Sequence, residues 1–185
     1  MPVKQKDGNT CCCRQHIEVR SLFKKCMEFR KKNLCSNIPD LDRESDPVFE
    51  HINDMCAATL CDKTSPKISC LNRNCADCGM PKLSYHADEL DDSKTACKVK
   101  WEKFEYTKIN GKGGKTRTKL MFVTKETNPG DMFRYLKYLI ENFPSHQHRA
   151  NWQSEQYRNI VQNLPINHAV CVHDYSENNR RSDRT

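Results

Sequence analysis

The feature that most constrains this chain is a cysteine-rich stretch running from Cys61 to Gly79. Its last two cysteines form a Cys-x-x-Cys pair followed by glycine, a spacing that can direct two thiolates at one metal ion. A structural zinc ion takes four ligands in a tetrahedron, with zinc–sulfur distances of about 2.3 Å. The loop supplies four thiolates without any other residue. The sequence therefore predicts a zinc site with the ligands Cys61, Cys70, Cys75 and Cys78.

Two nearby side chains are alternative ligands. Cys56 lies just upstream of the loop, and we expect it to pack within a helix, although it could replace Cys61. His86 follows the loop, but four cysteines already complete a tetrahedron. The motif Cys75-Ala-Asp-Cys78 also permits a thiol–disulfide enzyme. Such a redox motif should open a helix after a strand, whereas Pro81 here follows closely and stops a helix.

Composition places limits on compartment and partners. The 185 residues include twelve cysteines, and no secretory signal or apolar run long enough to span a bilayer is visible. We therefore expect a reducing compartment, nuclear or cytoplasmic, in which cysteines bind metal, pack or remain free thiols. The net charge of +7 suits a polyanion partner such as DNA or RNA, and a solvated basic surface explains it equally well.

Residues 1–45 are predicted to form a basic segment with one helix, from Arg14 to Lys32. Its apolar residues recur at helical spacing beside several lysines and arginines, so the basic face either contacts phosphates or is solvated. The triplet Cys11-Cys12-Cys13 could be acylated or bind metal, and exposed thiols are the simpler expectation. The apolar positions of this helix are Ile17, Leu22, Phe23, Cys26 and Phe29.

Residues 46–96 are predicted to form a second helix and the zinc loop. Asp46 is a suitable N-cap, Pro47 a suitable first helical residue, and the apolar face continues to about Leu60.

Residues 97–178 begin with two runs rich in valine and aromatic residues, which predict a β-hairpin between Lys98 and Thr124. The glycine-rich connection between them includes Gly114-Lys115-Thr116, which resembles the end of a phosphate-binding loop. Ile109 stands where that motif needs its first glycine, so we reject a nucleotide site. The tip lysines could still contact nucleic acid.

Two further helices are expected after the hairpin. Asn128-Pro129 starts the first, which should stop before Pro144, and Ser145 should cap the second, which should stop before Pro165. The sequence therefore predicts a helical hairpin with His146 and His148 at its corner. Helix capping or a contact with an acidic group explains these histidines better than joint chelation of one ion.

The final element is a nearly continuous apolar run, Ala169–Asp174, which is typical of a buried strand. It would need the hairpin or a protein partner to complete its sheet. Residues 179–185 form a polar tail.

The order of these motifs over residues 50–178 resembles repeat-derived animal proteins similar to DDE-type transposases with a ribonuclease-H-like core. The resemblance implies that Asp174 is the first catalytic metal-binding acid, with Glu177 as a possible neighbour. Two-metal phosphoryl transfer needs several carboxylates, and the chain stops where the others should follow. We therefore expect an inactive front portion of such a protein. The matching features are the four loop cysteines, Trp101, Phe143-Pro144, His146, Arg149-Ala150-x-Trp152-Gln153-x-x-Gln156, Leu164-Pro165 and Asp174-Tyr-Ser-Glu177-Asn178.

The expected fold is α+β: N-terminal helices, a zinc loop, a β-hairpin, a helical hairpin and a terminal strand of a truncated ribonuclease-H-like core. The leading functional hypothesis is a zinc-stabilised, nucleic-acid-associated module that is catalytically incomplete. The alternative is a zinc-dependent protein-interaction domain without nucleic-acid binding.

Overall fold

The computed structural model describes residues 13–36, 48–110 and 116–171, without the side chains of residues 34–36. Helices and one two-stranded antiparallel sheet make a mixed α+β fold, which confirms the predicted class. No helix within the described ranges combines the length and apolarity needed to cross a membrane. The elements are α1 (Arg14–Ser36), α2 (Ile52–Ala58), α3 (Ile68–Leu71), a 3-10 turn (Met80–Lys82), β1 (Val99–Asn110), β2 (Thr116–Thr127) and α4 (Pro129–Gln162).

The main core lies between α1, α2, the base of β1 and the first half of α4. Leu22, Phe133, Leu136 and Ile140 are fully buried there, and Trp101 of β1 is 4% exposed. The amphipathic spacing of α1 and α4 explains this arrangement, because each helix turns one apolar stripe inward. The stripe of α1 includes Val19 and leaves Ile17 exposed, so that part of the predicted face is wrong.

The predicted hairpin is present and longer than expected. Its register runs from Val99 opposite Thr127 to Asn110 opposite Thr116. The Phe104 amide of β1 donates to the carboxylate of buried Glu18 on α1 at 2.8 Å. This bond matters because a backbone amide that is covered by another element needs a hydrogen-bond acceptor. The connecting residues 111–115 lie outside the described residues.

Helix α2 is shorter than predicted. Val48 and Phe49 are not helical and are partly buried against the main core, and His51 has an extended backbone before the helix begins at Ile52. The predicted cap at Asp46 lies outside the described residues.

One residue of the predicted basic face is an internal ion-pair partner. Arg30 of α1 is 2% exposed and binds Glu89 through two hydrogen bonds, Nε to Oε1 at 2.5 Å and Nη2 to Oε2 at 2.7 Å. The same guanidinium donates to the carbonyl of Ser84. Arg30 therefore anchors the segment after the cysteine loop to α1 and does not face a phosphate.

The predicted helical hairpin is wrong. Helix α4 runs without a break from Pro129 to Gln162, with Pro144 inside it, and spans about 51 Å at 1.5 Å per residue. Proline lacks an amide hydrogen and its ring displaces the carbonyl four residues earlier, here that of Ile140.

The helix continues because a residue from the cysteine loop replaces the missing donor. Arg73 Nη2 donates to the Ile140 carbonyl at 3.1 Å, and Arg73 Nε donates to the Glu141 carbonyl at 2.9 Å. The Ile140 carbonyl therefore has a hydrogen-bond donor despite Pro144. The helix continues through Ser145.

The predicted buried strand is also wrong over the part that the structure describes. Ala169, Val170 and Cys171 are exposed and belong to no strand. Residues 172–174 of that run lie outside the described residues, and so does the catalytic candidate Asp174.

Candidate metal centre

The structure brings the four predicted cysteines together. The sulfur atoms of Cys61, Cys70, Cys75 and Cys78 all lie within 4.8 Å of one another. The Cys61 and Cys75 sulfurs are 3.6 Å apart. Four sulfurs at 2.3 Å from a central zinc ion in a tetrahedron would be about 3.8 Å apart. The arrangement therefore fits a four-thiolate metal site, and the cluster could hold a metal ion such as zinc.

Three short pieces of structure position these thiolates. Helix α2 ends at Ala58, so that Cys61 follows it in an exposed turn closed by the Asp62 carboxylate, which accepts from the Thr64 and Ser65 amides. Helix α3 carries Cys70, which is 1% exposed.

The remaining pair is held by a turn that requires glycine. Gly79 has φ of 119° and ψ of −161°, a conformation that side chains rarely adopt. Its amide donates to the Thr59 carbonyl at 2.7 Å, which ties the end of Cys75-x-x-Cys78 to the end of α2. Lys82 Nζ adds a second link, to the Leu60 carbonyl at 3.1 Å.

The surroundings of the cluster shift the pKa values of Cys78 and Cys70 in opposite directions. Burial, together with hydrogen bonding to the neighbouring thiols, raises the pKa of Cys78 to about 12. Burial opposes ionisation of Cys70 as well, but hydrogen bonds from Cys78 and Cys75 outweigh it and lower its pKa. Because only thiolates coordinate, binding of a metal ion to the cluster would release protons and depend on pH.

The alternative ligands lie elsewhere. Cys56 is 4% exposed and packs in the main core, where burial raises its pKa to about 12. His86 is in neither of the described groups of side chains close enough to share a metal. The geometry therefore selects Cys61 over Cys56 for the cluster.

The redox alternative lacks its structural context. No α-helix opens at Cys75 or Cys78, because a turn follows the first and the 3-10 turn containing Pro81 follows the second. A helix N-terminus is one of the features that lower the pKa of a redox cysteine, and no α-helix begins at this motif.

His146 and His148 have different surroundings. His148 is exposed, whereas His146 Nε2 lies 3.1 Å from the sulfur of Cys13 and 3.1 Å from His16 Nδ1. His16 is not among the predicted site residues, although Cys13-x-x-His16 is a ligand spacing that places two donors one helical turn apart.

No protein-family model matches the chain, and comparisons with curated proteins and with solved structures give no match either.

Proposed function

We propose that this protein is a zinc-stabilised module that binds double-stranded DNA through the distal half of its β-hairpin. The observation that carries the proposal is a two-stranded ribbon, residues 106–110 and 116–120, whose cations are exposed and which contains no acid. The four-cysteine cluster would hold zinc and stabilise the cysteine loop, which is joined to α4 through Arg73.

The shape of the ribbon suits a groove. The B-DNA major groove admits a two-stranded β-ribbon, whereas the major groove of A-form RNA is too narrow for side chains to read. Lys108 lies on one face of the ribbon, and Arg117 and Lys119 lie on the other. Cations on both faces can reach phosphates on both walls of a groove. Tyr106, 68% exposed, adds an aromatic surface beside Lys108.

The resemblance to DDE-type transposases supports the same proposal, since DNA is the substrate of such enzymes. A ribonuclease-H-like core and a nuclear location belong to the proposal on that ground. It assigns no catalytic step to this chain, because Asp174 and Glu177 alone are too few carboxylates for two-metal chemistry.

The test is the salt dependence of DNA binding, measured by fluorescence anisotropy with a DNA duplex and a matched RNA duplex. We expect the DNA duplex to bind more tightly. The variant Lys108→Gln/Arg117→Gln/Lys119→Gln should reduce the slope of log K against log salt by about 2.7, since each lost phosphate contact removes about 0.9.

The matched control removes the same charge elsewhere, with Lys24→Gln/Lys31→Gln/Lys63→Gln, all exposed positions outside the ribbon. Its slope should stay near that of the wild type. Equal losses in both variants would show diffuse charge attraction in place of a ribbon interface, and salt-independent binding would contradict phosphate contacts altogether.

A second candidate function is a zinc-dependent protein-interaction domain. Beyond Pro144, α4 exposes a stripe formed by Tyr157, Ile160 and Val161, which are 49%, 53% and 45% exposed. Such a stripe is the kind of surface that a helix inserts into an apolar groove. A folded, zinc-loaded protein without salt-sensitive DNA binding would favour this function over the first.

A further inference from the structure

A second cluster of metal-binding side chains lies where the start of α1 meets α4. Cys13 Sγ is 3.2 Å from His16 Nδ1 and 3.1 Å from His146 Nε2, and the two nitrogens are 3.1 Å apart. These three atoms form a nearly equilateral triangle. A triangular face of a tetrahedral zinc site has edges of about 3.3–3.6 Å, given zinc–nitrogen and zinc–sulfur distances of about 2.0 and 2.3 Å.

The orientation of His16 leaves its Nδ1 lone pair free for such an ion. His16 Nε2 lies 2.7 Å from Gln147 Oε1, and the Gln147 amide nitrogen donates to Asn151 Oδ1 at 2.8 Å. The second bond fixes which end of the amide faces His16. An amide oxygen can only accept, so the proton of neutral His16 is on Nε2. Metal-binding histidines almost always donate their other ring nitrogen in this way.

Hydrogen bonds alone do not fill all three edges of the triangle. The Cys13 thiol has one proton, His146 Nε2 has at most one while the ring is neutral, and His16 Nδ1 has none. If the thiol donates to His16 Nδ1 and a protonated His146 Nε2 donates to the sulfur, the 3.1 Å edge between the two nitrogens still has no hydrogen bond. His16 is 1% exposed, so water does not separate them there. One cation at the centre would satisfy all three lone pairs together.

The cluster is open to solvent on the side of His146. That side chain also lines a cavity of about 360 Å³, together with Gln15, Arg73 and Arg149. Zinc sites with three protein ligands keep a fourth position for water or an exogenous ligand. The cavity makes such a position possible here.

We propose that Cys13, His16 and His146 form a second zinc site, separate from the four-cysteine cluster, with solvent as the fourth ligand. On binding, the Cys13 thiol loses its proton to solvent and both imidazoles bind as neutral ligands, so one proton is released for each ion bound. The site would fasten the start of α1 to α4 just beyond Pro144.

The experiment measures zinc per chain by elemental analysis and native mass spectrometry, on the full chain purified under reducing conditions. We expect two zinc ions in the wild type and one in His146→Ala and in Cys13→Ser. The matched controls are His148→Ala and Cys97→Ser, both at exposed positions outside the cluster, and these should retain two. Two zinc ions in a folded His146→Ala protein would overturn the proposal.

A measurement on the wild type keeps the proposal testable even if the variants fail to fold. Zinc X-ray absorption should give an average of about 2.5 sulfur and one imidazole nitrogen ligands per ion, since one site has four thiolates and the other one thiolate and two histidines. About four sulfurs and no imidazole would overturn it.

The role of Gln147 provides a finer test. Gln147→Leu should weaken binding of the second zinc ion by about 10–100-fold, as expected for loss of a partner that orients a metal-binding histidine. Gln153→Leu, at an exposed position of the same helix, should leave both affinities unchanged. Equal affinities in the two variants would contradict the orientation argument.

Discussion

The main core and the cysteine loop are stabilised by different means. The main core contains large apolar side chains from α1, α2, β1 and α4, several of them fully buried. The cluster around the loop has three buried residues, Leu60, Cys70 and Leu71, with Cys75 and Cys78 packed beside them. Burial of apolar area contributes about 25 cal/mol per Å², so the loop gains little from it and the main core gains much.

This difference explains why the loop depends on polar anchors. Arg73 donates from the loop to α4, Lys82 donates to the Leu60 carbonyl at 3.1 Å, and Gly79 donates to the Thr59 carbonyl. Each net hydrogen bond contributes about 1 kcal/mol. A loop held by so few contacts needs a further source of stability, and a bound metal ion would supply it.

The largest effect on stability should come from the main core and be independent of metal. Arg30→Ala leaves the Glu89 carboxylate buried without its cation, and we expect a loss of about 3–5 kcal/mol in the free energy of unfolding. Urea denaturation with and without a chelator measures it. As a control, Arg30→Met/Glu89→Gln should lose much less, and an equally large loss in that double variant would show that packing and not charge pairing matters.

A smaller effect is expected where the loop and the main core are joined. Arg73→Ala leaves the Ile140 and Glu141 carbonyls without their donor, which should cost about 1–3 kcal/mol. In a Pro144→Ala background the backbone amide at position 144 can donate to the Ile140 carbonyl. Arg73→Ala should therefore lower the free energy of unfolding by less in that background. Denaturation of the four proteins of this cycle measures the coupling, and identical costs in the two backgrounds would contradict it.

The sequence predicted the features that depend on patterns among neighbouring residues. Periodicity located α1 and the start of α4, alternation located the hairpin, and spacing selected the four cysteines. The error at Pro144 involves a partner distant in the chain. Pro144 stops a helix unless a donor replaces its amide, and that donor, Arg73, lies 67 positions from Ile140.

The burial of Arg30 was not predicted for the same reason, because its partner Glu89 is 59 positions away. For the same reason the sequence did not predict that Cys13 and His16 contact His146. His146 lies 133 positions from Cys13 and 130 positions from His16. The basic residues of α1 indicate a solvated helix face from the sequence alone, and only the fold shows that Arg30 pairs with buried Glu89. Only the Cys13-x-x-His16 spacing was visible in advance.

The most direct test of the account is zinc content combined with hydrogen exchange, for the wild type, for Cys75→Ser/Cys78→Ser and for Cys56→Ser as a matched control. The double variant should lose the ion of the four-cysteine cluster, and amides of residues 59–83 should lose protection while those of α1 and the first half of α4 keep it. Cys56→Ser should retain the ion, since Cys56 lies in the main core. Unchanged zinc content and unchanged loop protection in the double variant would contradict the account.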